Sequence, residues 1–156
     1  MRFSSLLAAL AWLAVSGASV QADFADGLAA FDAGDYRTAF EEWRTLAEAG
    51  DAEAQTALAG LYLDGQGAPA DAAEAVRWYR RAAEQGDPVA QLNLGDLYGR
   101  GRGVGRDLVS AYVWLSRAAE QGRRWPARRR DEIAERLSPA QRDEAEARLA
   151  AWRHAR

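Results

Sequence analysis

Few residues in this chain could make or break a covalent bond. The one histidine, His154, sits in a charged stretch near the C-terminus, a setting for an exposed residue rather than a base or a ligand. Downstream of Asp23 the serines are Ser110, Ser116 and Ser138, and none has the Gly-x-Ser-x-Gly surroundings of a nucleophile elbow. Cysteine is absent, which removes thiolate catalysis, disulfides and cysteine-rich zinc sites together. Carboxylates are numerous, but a hydrolase built on two of them needs a pairing in space that spacing along the chain does not report. Two further clusters bear on anions. Gly101-Arg102-Gly103-Val104-Gly105-Arg106 has the glycine and arginine content of a loop that cradles phosphate. No strand pattern precedes it and no Gly-Lys-Ser/Thr follows it, so a turn between helices is the better reading. Arg123, Arg124, Arg128, Arg129 and Arg130 surround Trp125 and Pro126. They could dock on an anionic envelope surface or an acidic partner, or form a solvated face paired with Asp131, Glu132 and Glu135. No catalytic residue, cofactor or metal site is assigned.

These clusters sit in an unevenly charged chain. All twenty basic residues are arginine. Residues 23–99 hold fifteen acids and five arginines, a net of −10, and residues 100–156 hold eight acids and fourteen arginines, a net of +6. Residues 1–22 read as a secretory signal. Arg2 is the positive start, residues 6–15 are the apolar run, and Val20-Gln21-Ala22 is a small-x-small cleavage site. The apolar run is short for a permanent span. The expected location is therefore periplasmic or secreted, after cleavage near Ala22. Nucleic acid is not an expected partner of an exported, net-acidic chain.

What must position everything else is a repeat. Residues 51–86 and 87–122 carry the same pattern 36 residues apart. Ala54-Gln55, Leu58 and Leu61-Tyr62 recur as Ala90-Gln91, Leu94 and Leu97-Tyr98. Gly65, Gly67, Asp71, Ala75 and Trp78 recur as Gly101, Gly103, Asp107, Ala111 and Trp114, and both units close on Arg-Ala-Ala-Glu-Gln-Gly. The phosphate-like loop thus has a counterpart at residues 65–70 that lacks its arginines. Apolar residues at helical spacing give two helices per unit. Asp51, Asp87, Asp71 and Asp107 stand at N-caps, Pro88 at a first helical position, and Gly86 and Gly122 at left-handed helix ends. Small alanines are expected to let helices approach closely, with the tryptophans filling larger holes.

The pattern Ala-Gln-x-x-Leu-Gly-x-Leu-Tyr, Gly-x-Gly, Asp, Ala-x-x-Trp, Ala-Ala-Glu-Gln-Gly resembles the Sel-one-like repeat, a helical relative of the tetratricopeptide repeats with a slightly longer loop. Two full units match, departing at Ala59-Gly60, where the second unit has Gly95-Asp96. The resemblance implies an all-α, right-handed superhelical solenoid of antiparallel helix hairpins and a role in protein–protein binding. It implies no reaction.

Around the two units, residues 23–50 read as an atypical first hairpin, in which Trp43 takes the place of Tyr79. Residues 123–156 read as a helical cap, with one helix over 126–137 and another starting at Ser138-Pro139-Ala140-Gln141. In such a stack the first helix of each unit lines the concave face. Its positions off the buried stripe are Glu53, Thr56, Gly60 and Asp64, then Val89, Leu92, Asp96 and Arg100. They are the candidate partner-binding residues, for a peptide or helix of a protein of unknown identity. Two functions of different class stay open. One is a non-catalytic periplasmic adaptor or scaffold. The other is a cell-envelope enzyme, or an accessory subunit of one, acting on peptidoglycan or a β-lactam, as some exported relatives of this repeat family imply; those relatives are cysteine-rich and this chain has no cysteine.

Overall fold

The computed structural model describes residues 23–122 and 124–155, so the signal reading of residues 1–22 and the side chain of Arg123 lie outside the described residues. The described regular structure is all helical. Three consecutive hairpins, α1 (Phe24–Asp32) with α2 (Tyr36–Glu48), α3 (Ala52–Asp64) with α4 (Ala72–Glu84) and α5 (Pro88–Arg100) with α6 (Leu108–Ala119), are followed by α7 (Arg124–Ala134) and α8 (Pro139–His154). From α1 to α7 each helix packs on its sequence neighbours, and α8 folds back onto α6. The result is a one-dimensional stack in which contacts are local.

Local chemistry starts and stops the helices. Asp35, Asp51, Asp71, Asp87 and Asp107 each accept a backbone N–H from the first turn that follows. Ser138 and Gln141 form a reciprocal capping box. Gly65 and Gly101 end α3 and α5 in the left-handed region, both at φ 68°. The next glycine in each loop meets the preceding hairpin. A Cβ on Gly67 would collide with the Tyr36 carbonyl at the start of α2, and one on Gly103 with the Ala72 carbonyl at the start of α4. Tyr36 and Ala72 are themselves 36 residues apart, so one joint is used twice.

Buried faces follow the repeat. Ala54, Leu58 and Leu61 on α3, and Ala90, Leu94 and Leu97 on α5, are at most 4% exposed. Ala75, Tyr79, Ala82 and Ala83 on α4 and Ala111, Leu115 and Ala118 on α6 close the same layers. A polar ladder joins the units. Gln55 Nε2 donates to the Ala47 carbonyl of the preceding hairpin, and its Oε1 accepts from Gln85 Nε2. Gln91 repeats this with the Ala83 carbonyl and Gln121. Both ladder amides are buried and satisfied on two sides.

Three details go beyond the sequence reading. Trp78 and Trp114 pack against the core but stay half-buried, with Arg81 over the Trp78 ring at 4.7 Å and Arg117 over Trp114 at 4.2 Å. Gly99 belongs to the last turn of α5 and lies against Ile133 of α7. Helix α7 begins at Arg124, two residues before Pro126, and ends at Ala134. Proline is tolerated there because first-turn N–H groups have no intrahelical acceptor to lose. Leu137 lies beyond the helix but stays buried beside Val109 and Ala145.

A candidate partner-binding trough

Helices α1, α3, α5 and α7 wall three concavities of about 390, 240 and 410 Å³. The first two share Thr56, Ala57 and Val89, and the second and third meet at Asn93. They make one trough across the stack. It exists because α3 and α5 turn their alanine and leucine stripe inward, which leaves the opposite stripe facing the hollow.

Each residue of the sequence stripe lines part of this trough. Glu53 lies at the α1 end beside Phe24, and Thr56 and Val89 line both that end and the middle. Gly60 and Asp64 line the middle, where Trp43 and Tyr79 also reach. A Cβ on Gly60 would stand 3.7 Å from the Tyr79 hydroxyl, an ordinary contact, so the glycine leaves the trough more open there without being required by packing. Leu92, Asp96 and Arg100 line the α7 end with Trp125, Arg128, Arg129 and Glu132.

Sequence reasoning missed several lining residues. Ala57 and Asn93 occupy equivalent positions 36 residues apart, one turn on from Glu53 and Val89, so extending the stripe by four would have found them. Trp125 is 71% exposed; the sequence marked it only as part of the basic segment and not of the stripe, because α7 lacks the repeat pattern. Phe31 and Trp43 come from the atypical first hairpin. The Trp43 indole is fixed by stacking on Phe24 with ring centroids 5.5 Å apart and by donating Nε1–H to the Phe24 carbonyl at 3.3 Å.

Electrostatics differ along the trough. Burial pushes the Tyr79 hydroxyl up to about 12, with Asp64 and Asp87 adding to the effect, so it stays a neutral donor at ordinary pH. At the α7 end Asp96 is a fastener. It pairs with Arg100 at 2.6 Å and takes Arg129 Nε and Nη2 at 3.0 and 2.9 Å, while Arg129 Nη1 reaches Glu132 at 2.6 Å. The hydrogen bond to Glu132 raises the Arg129 guanidinium above its ordinary value; burial opposes this and Asp96 reinforces it. In the basic segment, Arg128 also pairs with Glu132 at 3.6 Å and Arg130 with Asp131 at 2.7 Å. Arg128, Arg129 and Arg130 therefore meet acids of this chain before they meet any partner.

The glycine–arginine loop is structural. Arg102 Nη2 donates to the Leu63 carbonyl at 3.0 Å, and Gly103 is pressed on α4. The Arg102 guanidinium thus serves the joint between units, while the Arg102 N–H closes the loop on the Leu97 carbonyl of its own unit. Ser110 donates its hydroxyl to the Asp107 carboxylate at 2.6 Å as part of an N-cap, and His154 is exposed in the last turn of α8. Among the described residues no group of three or more His, Cys, Asp or Glu side chains could hold a metal ion, and no helix is long and apolar enough to cross a membrane.

Residues 52–87 and 88–122 each match the model of the Sel1 repeat. Among solved structures the chain is similar to a protective antigen present in uropathogenic Escherichia coli strains that displays an SLR fold. There the TM-score is 0.76 and the identity 32%, over 79% of this chain and 27% of that one. It is also similar to a Sel1 repeat protein from Oxalobacter formigenes, with TM-score 0.64 and 34% identity over 67% of this chain and 43% of that one. The chain thus spans less than half the length of either relative. No curated protein matches it. These two units are Sel1 repeats, and proteins of the Sel1-repeat family generally bind protein partners and are typically non-enzymatic interaction modules.

Proposed function

We propose that this Sel1-repeat chain is a non-catalytic scaffold, exported to the periplasm, that holds a peptide or helix of a protein partner in the trough from α1 to α7. The observation that carries the reading is continuity: neighbouring concavities share residues, so a partner meets one surface across four helices. Four helices side by side, no closer than the roughly 8–10 Å of directly packed helices, make that surface at least about 25 Å long, the reach of about eight extended residues. The floor is apolar and the rims are polar, the composition from which grooves draw affinity and register. The family's general use as an interaction scaffold supports a protein partner. The signal pattern of residues 1–22 supports export.

The test is a cross-linked pull-down from the native host with wild type and Val89→Arg. Val89 is 37% exposed and lines two of the three concavities, so arginine there obstructs the trough without entering the core. Asp96 is unsuitable for this purpose because it fastens α7. A protein captured by wild type and lost by a variant of unchanged melting temperature is the expected result. Equal capture by both would remove the trough from consideration. Intact-mass analysis of the exported chain should find Asp23 at its start; a retained Met1 would contradict cleavage.

A further inference from the structure

We propose that the trough is ordered by charge and selects a segment with basic residues at one end, an apolar anchor at its centre and acidic residues at the other. This rests on the trough reading above and adds what the partner must carry. The α1 end and the middle are lined by Glu53, Asp64 and Asp87 and by no arginine. Between them Trp43, Leu61 and Tyr79 give the apolar floor. The α7 end reverses the sign, with Arg100, Arg128 and Arg129 against Asp96 and Glu132.

The arginines there are not equivalent. Arg129, with its side chain 25% exposed, is held by both carboxylates, whereas Arg100 pairs through Nε with Asp96 and Arg128 through Nε with Glu132, and they remain 64% and 80% exposed. A guanidinium carries five N–H donors, so each keeps donors for an incoming carboxylate. Trp125 beside them offers an exposed indole for the apolar part of the same residue. Asp87 at the start of α5 and Arg100 at its end stand thirteen residues apart along the helix, roughly 20 Å at about 1.5 Å per residue, which exceeds the ~8 Å screening length at physiological salt. The two ends of the trough therefore read their own end of the ligand independently, and one preference can be switched without the other.

The experiment measures fluorescence polarisation on the mature chain with four nine-residue peptides. All share a central leucine pair; their ends are both neutral, both basic, both acidic, or one of each. The mixed peptide should bind about tenfold tighter than the neutral one, the scale of two or three exposed ion pairs, and 0.5 M salt, about three times the physiological level, should erase most of that gain. In Arg100→Glu/Arg128→Glu, checked for an unchanged melt, the preference should pass to the peptide with two basic ends. A mixed peptide no tighter than the neutral one, or an unchanged preference in the double variant, overturns the charge order. In both cases binding of the neutral peptide leaves the trough standing. No binding of any peptide by the folded chain overturns the trough reading as well.

Discussion

Positions 60 and 96 are the same place in the fold, one repeat apart, and they do opposite things. Gly60 withholds a side chain and leaves the trough more open beside Tyr79. Asp96 extends one and ties α5 to α7. Four residues on, Asp64 leaves an acid at the trough and Arg100 a base. Where the repeats touch each other they instead agree: the same glutamine ladder, the same glycine joint, the same aspartate caps. Joints must be alike because each unit is both the support of one neighbour and the load of the other. The trough is under no such demand, so its sequence is free to diverge toward a ligand and toward the stack's end.

Variants can break or sharpen this contrast. The largest effect is expected at the joint. Gly67→Ala and Gly103→Ala each force a side chain at positive φ into a neighbouring carbonyl, and each should cost roughly 2–4 kcal/mol in urea unfolding. Equal losses would express the shared role; a neutral Gly103→Ala would mean the loop is not pinned. Next come Gln55→Ala and Gln91→Ala, which strip the Ala47 and Ala83 carbonyls of a buried amide at a cost of about 1–3 kcal/mol each. A large difference between the two would show that the units are not coupled in the same way.

The divergent positions should behave asymmetrically. Asp96→Ala should lose about 1 kcal/mol, the value of a charged hydrogen bond discounted for partial exposure. Combined with Arg129→Ala the losses should fall short of additive. Gly60→Ala should be neutral or gain up to about 0.5–1 kcal/mol from helix propensity, since its Cβ meets only ordinary contact distances. A costly Gly60→Ala would erase the contrast.

The smallest effect concerns acid. Burial pulls the Asp107 carboxyl up, but the Ser110 hydroxyl and the N–H groups of Ser110 and Val109 outweigh it and hold the group below its ordinary 3.8. A depressed carboxylate stabilises the fold fully above its ordinary value and loses that contribution as pH falls through the lower folded value. Asp107→Asn should therefore cost about 0.5–1 kcal/mol at pH 7 and make the loss of stability below pH about 4 shallower. An acid limb identical to wild type would place that sensitivity elsewhere.

Much of this was legible because it recurs. Caps, buried stripes and left-handed glycines repeat at 36 residues, and period alone sorts them. The trough stripe was legible as the complement of the buried stripe on α3 and α5. What period could not give is what happens once. Trp125 and the Asp96–Arg129 fastening belong to α7, which has no counterpart to align with. Recurrence also conceals reasons. Gln55 and Gln91 stand out in the sequence as a pair, yet their role depends on a carbonyl eight residues away reached across a turn. Trp78 and Trp114 recur as large apolar residues, and only the guanidinium lying over each ring shows why they stay half-exposed.

The glutamine ladder also sets a grammar for lengthening the molecule. Each rung needs an amide 36 residues after the last, and Gln55 and Gln91 satisfy that rule where Ala127, the next position, does not. A new 36-residue unit spliced between Gly86 and Asp87 would find a carbonyl waiting on one side and an amide on the other. The same unit appended after Gly122 would find no amide on its far side, where Ala127 stands in the glutamine's place, and would have to displace α7 and α8. The stack is thus modular at its middle and punctuated at its end, and a longer trough would be had by insertion rather than extension.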